Sequence, residues 1–178
     1  MWQSNFIINI AIIFALALSL SSCDYYAQLP NCDEYFKNKP SHSFSTDNRG
    51  LAEDKNTGLL WYRCSAGQSY KNSECKGETL HLNWDEAVAF AKEFSEKSGK
   101  KWRIPSKKEL KSIMVNKCIN PAVDVRVFKG LEVNNFWTSS DSLNSDLFRC
   151  SVYSFKGDLF CRQPKTTELP FLLVAGDK

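Results

Sequence analysis

The spacing of apolar positions changes along the chain, and each change marks a different kind of element. Residues 44–62, FSTDNRGLAEDKNTGLLWY, carry turn formers at Asp54, Asn56 and Gly58 ahead of the apolar Leu59, Leu60 and Trp61. That pattern predicts a hairpin over 44–63. From residue 83 the apolar positions recur every three or four residues, as Trp84, Ala87, Val88, Ala91 and Phe94. They define one helix face, opened by a capping box between Asn83 and Glu86 and stopped by Gly99. A second capping box, Ser106 with Glu109, follows Pro105 and opens a shorter helix with Leu110, Ile113 and Met114 turned inward. Beyond Phe136 the pattern becomes strand-like. Phe136–Thr138 is one strand, and Phe148–Phe155 and Asp158–Arg162 flank a Lys156-Gly157 hairpin turn. The terminal LPFLLVAG is a final apolar strand. Strands at both ends with helices between them argue for an α+β domain rather than a parallel α/β sheet.

The first 22 residues contain no Asp, Glu, Lys or Arg, and an apolar run from Phe6 to Leu20 ends in small residues before Cys23. This is short for a membrane-spanning helix and suits a secretory signal. Leu20-Ser21-Ser22-Cys23 resembles the lipobox of bacterial lipoproteins, in which cleavage leaves the Cys as a lipid-bearing N-terminus. The n-region departs from the usual pattern in lacking Lys and Arg. The competing reading, an uncleaved anchor helix, also tethers the domain outside the cytoplasm. The expected organisation is a signal peptide over 1–22, a lipidated tether over 23–43 and a domain over 44–178. By the enterobacterial sorting rule, Asp24 favours retention in the inner membrane.

Cysteine usage agrees with export. Setting Cys23 aside leaves Cys32, Cys64, Cys75, Cys118, Cys150 and Cys161, an even number that implies disulfides. Cys64 and Cys75 lie close across a Gly-containing loop and are expected to pair, and Cys32 to pin the tether to the domain. The pairing of Cys32, Cys118, Cys150 and Cys161 is left open. No CxxC occurs and His42 and His81 are the only histidines, so neither a zinc site nor any cofactor is expected. The Asp54–Gly58 segment matches the start of a calcium loop but lacks the remaining ligand spacing and the distal Glu, so it reads as a plain turn.

An ordered set of fragments resembles the Lcl C-terminal domain family, the C-terminal domain of the Legionella collagen-like protein. They are Thr57-Gly58-Leu59-Leu60-Trp61, Arg63-Cys64-Ser65-Ala66-Gly67-Gln68, Cys75-Lys76-Gly77 and Trp84-Asp85-Glu86-Ala87. Trp102-Arg103-Ile104-Pro105, Glu109-Leu110, Cys118-Ile119-Asn120-Pro121-Ala122 and Phe136-Trp137-Thr138-Ser139-Ser140 complete the set. The family closes on a strand bearing Arg, and Phe171–Ala175 here has none. The resemblance implies a fold related to C-type lectins and formylglycine-generating enzymes: a twisted antiparallel sheet, two helices and long disulfide-bonded loops. The family's namesake binds sulfated glycosaminoglycans and acts in adhesion.

Catalytic chemistry finds little support. A nucleophilic triad has only His42, in the tether, and His81 to draw on. Asp85 and Glu86 suit the first turn of a helix. Cys150 and Cys161 match the reactive pair of formylglycine-generating enzymes only if they escape oxidation. No Glu-Pro-Asn or Gln-Pro-Asp calcium loop occurs.

Charge is the feature that points to a partner. The whole chain carries a net charge of only +3, yet eight basic residues stand against Glu109 alone between Lys97 and Lys117. Residues 99–104 fit the XBBXBX pattern of heparin-binding segments, and Lys107, Lys108 and Lys111 share an arc of about 100° on their helix. Lys100, Lys101, Arg103, Lys107, Lys108 and Lys111 are therefore the candidate polyanion-binding residues. Trp102 and Ile104 are expected in the core. The competing reading leaves the lysines merely solvated and Arg103 held by a carboxylate or by carbonyls. In an exported protein nucleic acid is not the expected partner. Sulfated or phosphorylated glycans, anionic lipid headgroups or another envelope protein are.

Overall fold

The computed structural model describes residues 29–39, 43–143 and 145–176. The expected signal peptide, Cys23, Asp24 and His42 lie outside them. Among the described residues no helix is long and apolar enough to cross a membrane.

The centre of the domain is a five-stranded antiparallel sheet. Its strands are β1 (Phe44–Thr46), β2 (Leu51–Asp54), β3 (Leu60–Tyr62), β6 (Trp102–Arg103) and β10 (Val174–Ala175), in the order β1-β2-β3-β10-β6. A two-stranded hairpin, β4 (Ser69–Lys71) and β5 (Glu74–Lys76), stands apart from it. A three-stranded sheet is built from β7 (Asn135–Asp141), β8 (Phe148–Tyr153) and β9 (Asp158–Pro164). Among the described residues, three helices complete the α+β architecture: α1 (Cys32–Phe36), α2 (Trp84–Ser98) and α3 (Lys107–Ser112).

Strand alternation distributes side chains to two cores. Ala52, Trp61 and Val174 face one cluster, which α3 closes with Leu110 and the following segments close with Ile113, Val123, Val127 and Phe128. Leu60, Tyr62, Leu173 and Ala175 face the other, where α2 contributes Ala87 and Ala91 beside Trp102, Ile104, Trp137 and Phe171. The last apolar run is the spine between the two clusters. From Phe171 to Ala175 every side chain is buried, and successive ones enter opposite clusters. Only Val174–Ala175 joins the ladder, as the partner of both β3 and β6. The stretch before it stays extended through single bonds from Tyr62 N–H to the Leu173 carbonyl and from Ala66 N–H to the Phe171 carbonyl, each 3.0 Å. Pro170 has no N–H to offer a ladder, but its carbonyl accepts from Trp137 N–H at 3.0 Å and ties the three-stranded sheet to the spine.

Both capping boxes form, and Gly99 ends α2 in the left-handed region at φ 68°. Val88, assigned by periodicity to the buried face of α2, is 39% exposed. The small Ala87 and Ala91 make the close contact, and Val88 turns to the rim of a groove.

Three disulfides are present: Cys32–Cys118, Cys64–Cys75 and Cys150–Cys161. The first pins the segment before residue 44 to the domain through Cys32, as expected. Cys32 is fully buried, its N–H donates to the Ile119 carbonyl at 2.9 Å, and α1 follows directly. Pro30 to Phe36 is thus fastened to the Cys118–Asn120 loop by this bridge and by backbone hydrogen bonds.

Candidate functional site

The basic strip spans the end of α2, β6 and the start of α3, and the structure divides its members by what they touch. Arg103 leaves β6 beside the N-terminus of α3. Its guanidinium forks onto Glu109, Nη1 to Oε2 at 2.9 Å and Nη2 to Oε1 at 2.8 Å, and Nη2 also reaches the Gly176 carbonyl at 3.4 Å. Glu109 accepts in addition from Ser106 N–H at 2.7 Å, completing the cap. Burial by itself would raise the Glu109 carboxyl. The Arg103 fork, together with the Ser106 N–H and hydroxyl, outweighs it and holds the group down at about 2. Arg103 is thus part of the framework joining β6 to α3, and its charge is matched by Glu109.

Lys111 donates its ammonium to the Gly157 carbonyl in the β8–β9 turn, and Lys97 pairs with Glu93 one turn back on α2. The remaining candidates are different. Lys100, Lys101 and Lys108 are exposed and Lys107 is half-buried, and none of their ammonium groups has an ion pair or hydrogen bond among the described residues. Lys107 is anchored only through its backbone N–H, which donates to Ser140 Oγ at 2.9 Å.

Between α2 and β6 runs an open groove of about 490 Å³. Trp84, Val88, Ala91, Trp102 and Ile104 give it apolar walls, and Lys92, Ser95, Glu96, Arg103 and Ser139 give it polar ones. Trp84 is held by its indole N–H, which donates to the Thr138 carbonyl at 3.0 Å. Its ring lies under two cations, with Arg149 at 4.4 Å and Lys165 at 4.8 Å from the centroid. Lys165 also pairs with Asp85 at 2.7 Å. Neither Arg149 nor Lys165 was singled out by the sequence. They come from β8 and from the residue after β9, and no local pattern connects them to Trp84.

The residues considered for catalysis sit in ordinary surroundings. His81 Nε2 lies 2.7 Å from Glu132 Oε1, which also accepts from the Asn134 amide at 3.0 Å. Cys150 and Cys161 are joined to each other. Asp54 accepts from Asn56 N–H and from the Thr57 hydroxyl, closing the turn expected there. Among the described residues no group of three His, Cys, Asp or Glu is placed to hold a metal ion.

Fold and site together define a disulfide-bonded α+β domain in which Lys100, Lys101, Lys107 and Lys108 keep unpaired ammonium groups near an aromatic groove. The model of the Lcl C-terminal domain family matches residues 50–175, and the chain belongs to that family. No curated protein matches. Among solved structures, botrocetin is similar over 78% of this chain and 100% of its own, at 10% identity and a TM-score of 0.36. A likeness of that size supports neither a fold assignment nor a ligand.

Proposed function

We propose that this chain is a non-catalytic, membrane-anchored lipoprotein of the bacterial envelope, held by lipid on Cys23, whose lectin-like domain binds a sulfated or phosphorylated glycan or a similar polyanion of envelope or host. The observation that carries this reading is the division of the basic strip. Arg103, Lys97 and Lys111 are committed to internal partners, while Lys100, Lys101, Lys107 and Lys108 keep their charges uncompensated within one short stretch. Clustered cations raise the local concentration of a polyanion, and salt weakens the effect. Family membership supports the lectin-like shape. The lipobox-like LSSC supports the anchor, and Asp24 favours the inner membrane.

The test is retention on immobilised heparin at two salt concentrations. Wild type is expected to bind and to elute earlier as salt rises. The variant Lys100→Ala/Lys101→Ala/Lys107→Ala/Lys108→Ala should pass through. A control losing four other lysines, Lys55, Lys71, Lys76 and Lys129, should keep most of its retention. Unchanged retention of the first variant sinks the role of the strip.

A second reading is favoured by a separate observation. Leu143 and Leu147, in the loop between β7 and β8, are 93% and 72% exposed, and Leu159 and Phe160 on β9 are also open. An apolar surface of this kind suits another envelope protein. Recovery of one stoichiometric protein partner, without polyanion binding, would establish that reading instead.

A further inference from the structure

We propose that the domain stands on the bilayer through one end, made of α1, the Lys117–Asn120 loop and the β8–β9 turn, with phospholipid headgroups as its partner. The inference rests on the anchoring reading above and adds which surface the anchor brings to the membrane. Three features of the molecule converge on that end.

The first is where the chain enters. Ile119 N–H donates to the Pro30 carbonyl at 3.0 Å, Cys32 N–H donates back to the Ile119 carbonyl at 2.9 Å, and the Cys32–Cys118 disulfide locks the contact. Asn120 N–H donates to the Phe155 carbonyl at 2.9 Å, which places the β8–β9 turn beside the entry point. The second is reach. Only the residues from Asp24 to Leu29 separate Cys23 from Pro30, where the chain first bonds to the domain, about 25 Å when fully extended. A domain of this length has a radius of gyration of about 15 Å. The tether is therefore shorter than the domain is wide, and the entry end is the one kept next to the bilayer.

The third is surface chemistry. Tyr35 and Phe155 are half-exposed at this end, and Lys37, Lys39 and Lys117 are exposed around them. The Lys39 ammonium lies 3.1 Å from the Tyr35 ring centroid, and the Phe155 ring stacks with Tyr153 at 6.0 Å. Aromatic rings mixed with lysines suit the headgroup layer, where rings take the apolar boundary and ammonium groups meet phosphate. Asp33 and Glu34 are exposed on the same helix and offset part of that charge. The lipid anchor therefore supplies proximity, and this surface supplies orientation. The opposite end is set by β8, whose six residues from Phe148 to Tyr153 span about 20 Å. Leu143 and Leu147 precede that strand, and Leu147 directly adjoins its far end.

The full-length lipoprotein is reconstituted into vesicles of phosphatidylcholine with phosphatidylglycerol. A photo-crosslinking p-benzoylphenylalanine is placed singly at position 35, 155, 143 or 147. Flotation with the vesicles, lost in Cys23→Ala, reads the anchor. Lipid adducts, read by mass spectrometry, report the orientation. Adducts at positions 35 and 155 are expected at least about fivefold above those at 143 and 147. The variant Lys37→Glu/Lys39→Glu/Lys117→Glu should still float while losing most of that preference. Floating protein with equal yields, or with more adducts at 143, overturns the orientation and spares the anchor. A wild-type chain that does not float overturns both. Protein rather than lipid adducts at position 35 in intact cells also overturn the proposal.

Discussion

Replacing Glu109 by Gln tests the joint between β6 and α3. Glu109 is 6% exposed, caps α3 and receives both arms of Arg103. Its carboxyl falls from the ordinary 4.5 to about 2 in the folded chain. At 1.36 kcal/mol per pKa unit the gap corresponds to roughly 3 kcal/mol. Screening must reduce this, because the Arg103 side chain is 35% exposed, so about 2 kcal/mol is the working figure. The sign follows from the depressed pKa. The ionised carboxylate is favoured in the folded state, so its contribution is complete above about 4.5 and disappears as pH falls toward 2. Urea unfolding of the oxidised protein at a series of pH values should show wild type losing about 2 kcal/mol more than Glu109→Gln across that window. At pH 7 the variant should be less stable by a similar amount, since Gln keeps the shape but gives up the charge-assisted fork with Arg103. Equal stability at pH 7, or identical pH slopes below 4.5, would refute this account of the joint.

Two other outcomes follow from the fold. The Cys32–Cys118 bridge spans a sequence separation of 86, against 11 for each of the others. Loop-closure entropy assigns it about 4.5 kcal/mol, against about 3 for a short loop, so Cys32→Ala/Cys118→Ala should lower the Tm most among the three double replacements in a calorimetric scan. Gly67 has φ +91°, and a Cβ there would sit 2.7 Å from the Glu78 carbonyl oxygen and 2.6 Å from Leu80 Cγ. Gly67→Ala should destabilise by about 2 kcal/mol or more, measured by urea unfolding, because the left-handed backbone and the backbone contact both resist it.

The elements with local causes were legible from the chain. Asn83 with Glu86 and Ser106 with Glu109 place both helix starts within a single turn of sequence, and the structure forms both boxes. The β4–β5 hairpin was missed because Ser69–Lys71 and Glu74–Lys76 carry no apolar alternation. Its turn uses Asn72 and Ser73 at φ 52° and 62° instead of a glycine. β6 was missed because two residues are too few for any periodicity, and it exists only because β10 lies beside it. Helix α1 was read as tether because its docking depends on Cys118, far along the chain.

What the amino-acid order determined alone is the set of contacts whose partners lie within a turn or two: the caps, the hairpin turns and the amphipathic face of α2. It also determined the excess of positive charge between Lys97 and Lys117. Which of those charges stay available was decided by tertiary structure. Arg103 and Glu109 are six residues apart, yet they meet as a fork only because β6 enters the sheet and α3 leaves it at the angle that joins them. Lys111 is held by a carbonyl 46 residues away, which accepts a hydrogen bond from its ammonium. Trp84 acquires its two cations from the three-stranded sheet and the residue that follows it. A charge is a property of one residue, but its availability depends on every group that folding brings within a few ångströms, and that is a property of the whole chain.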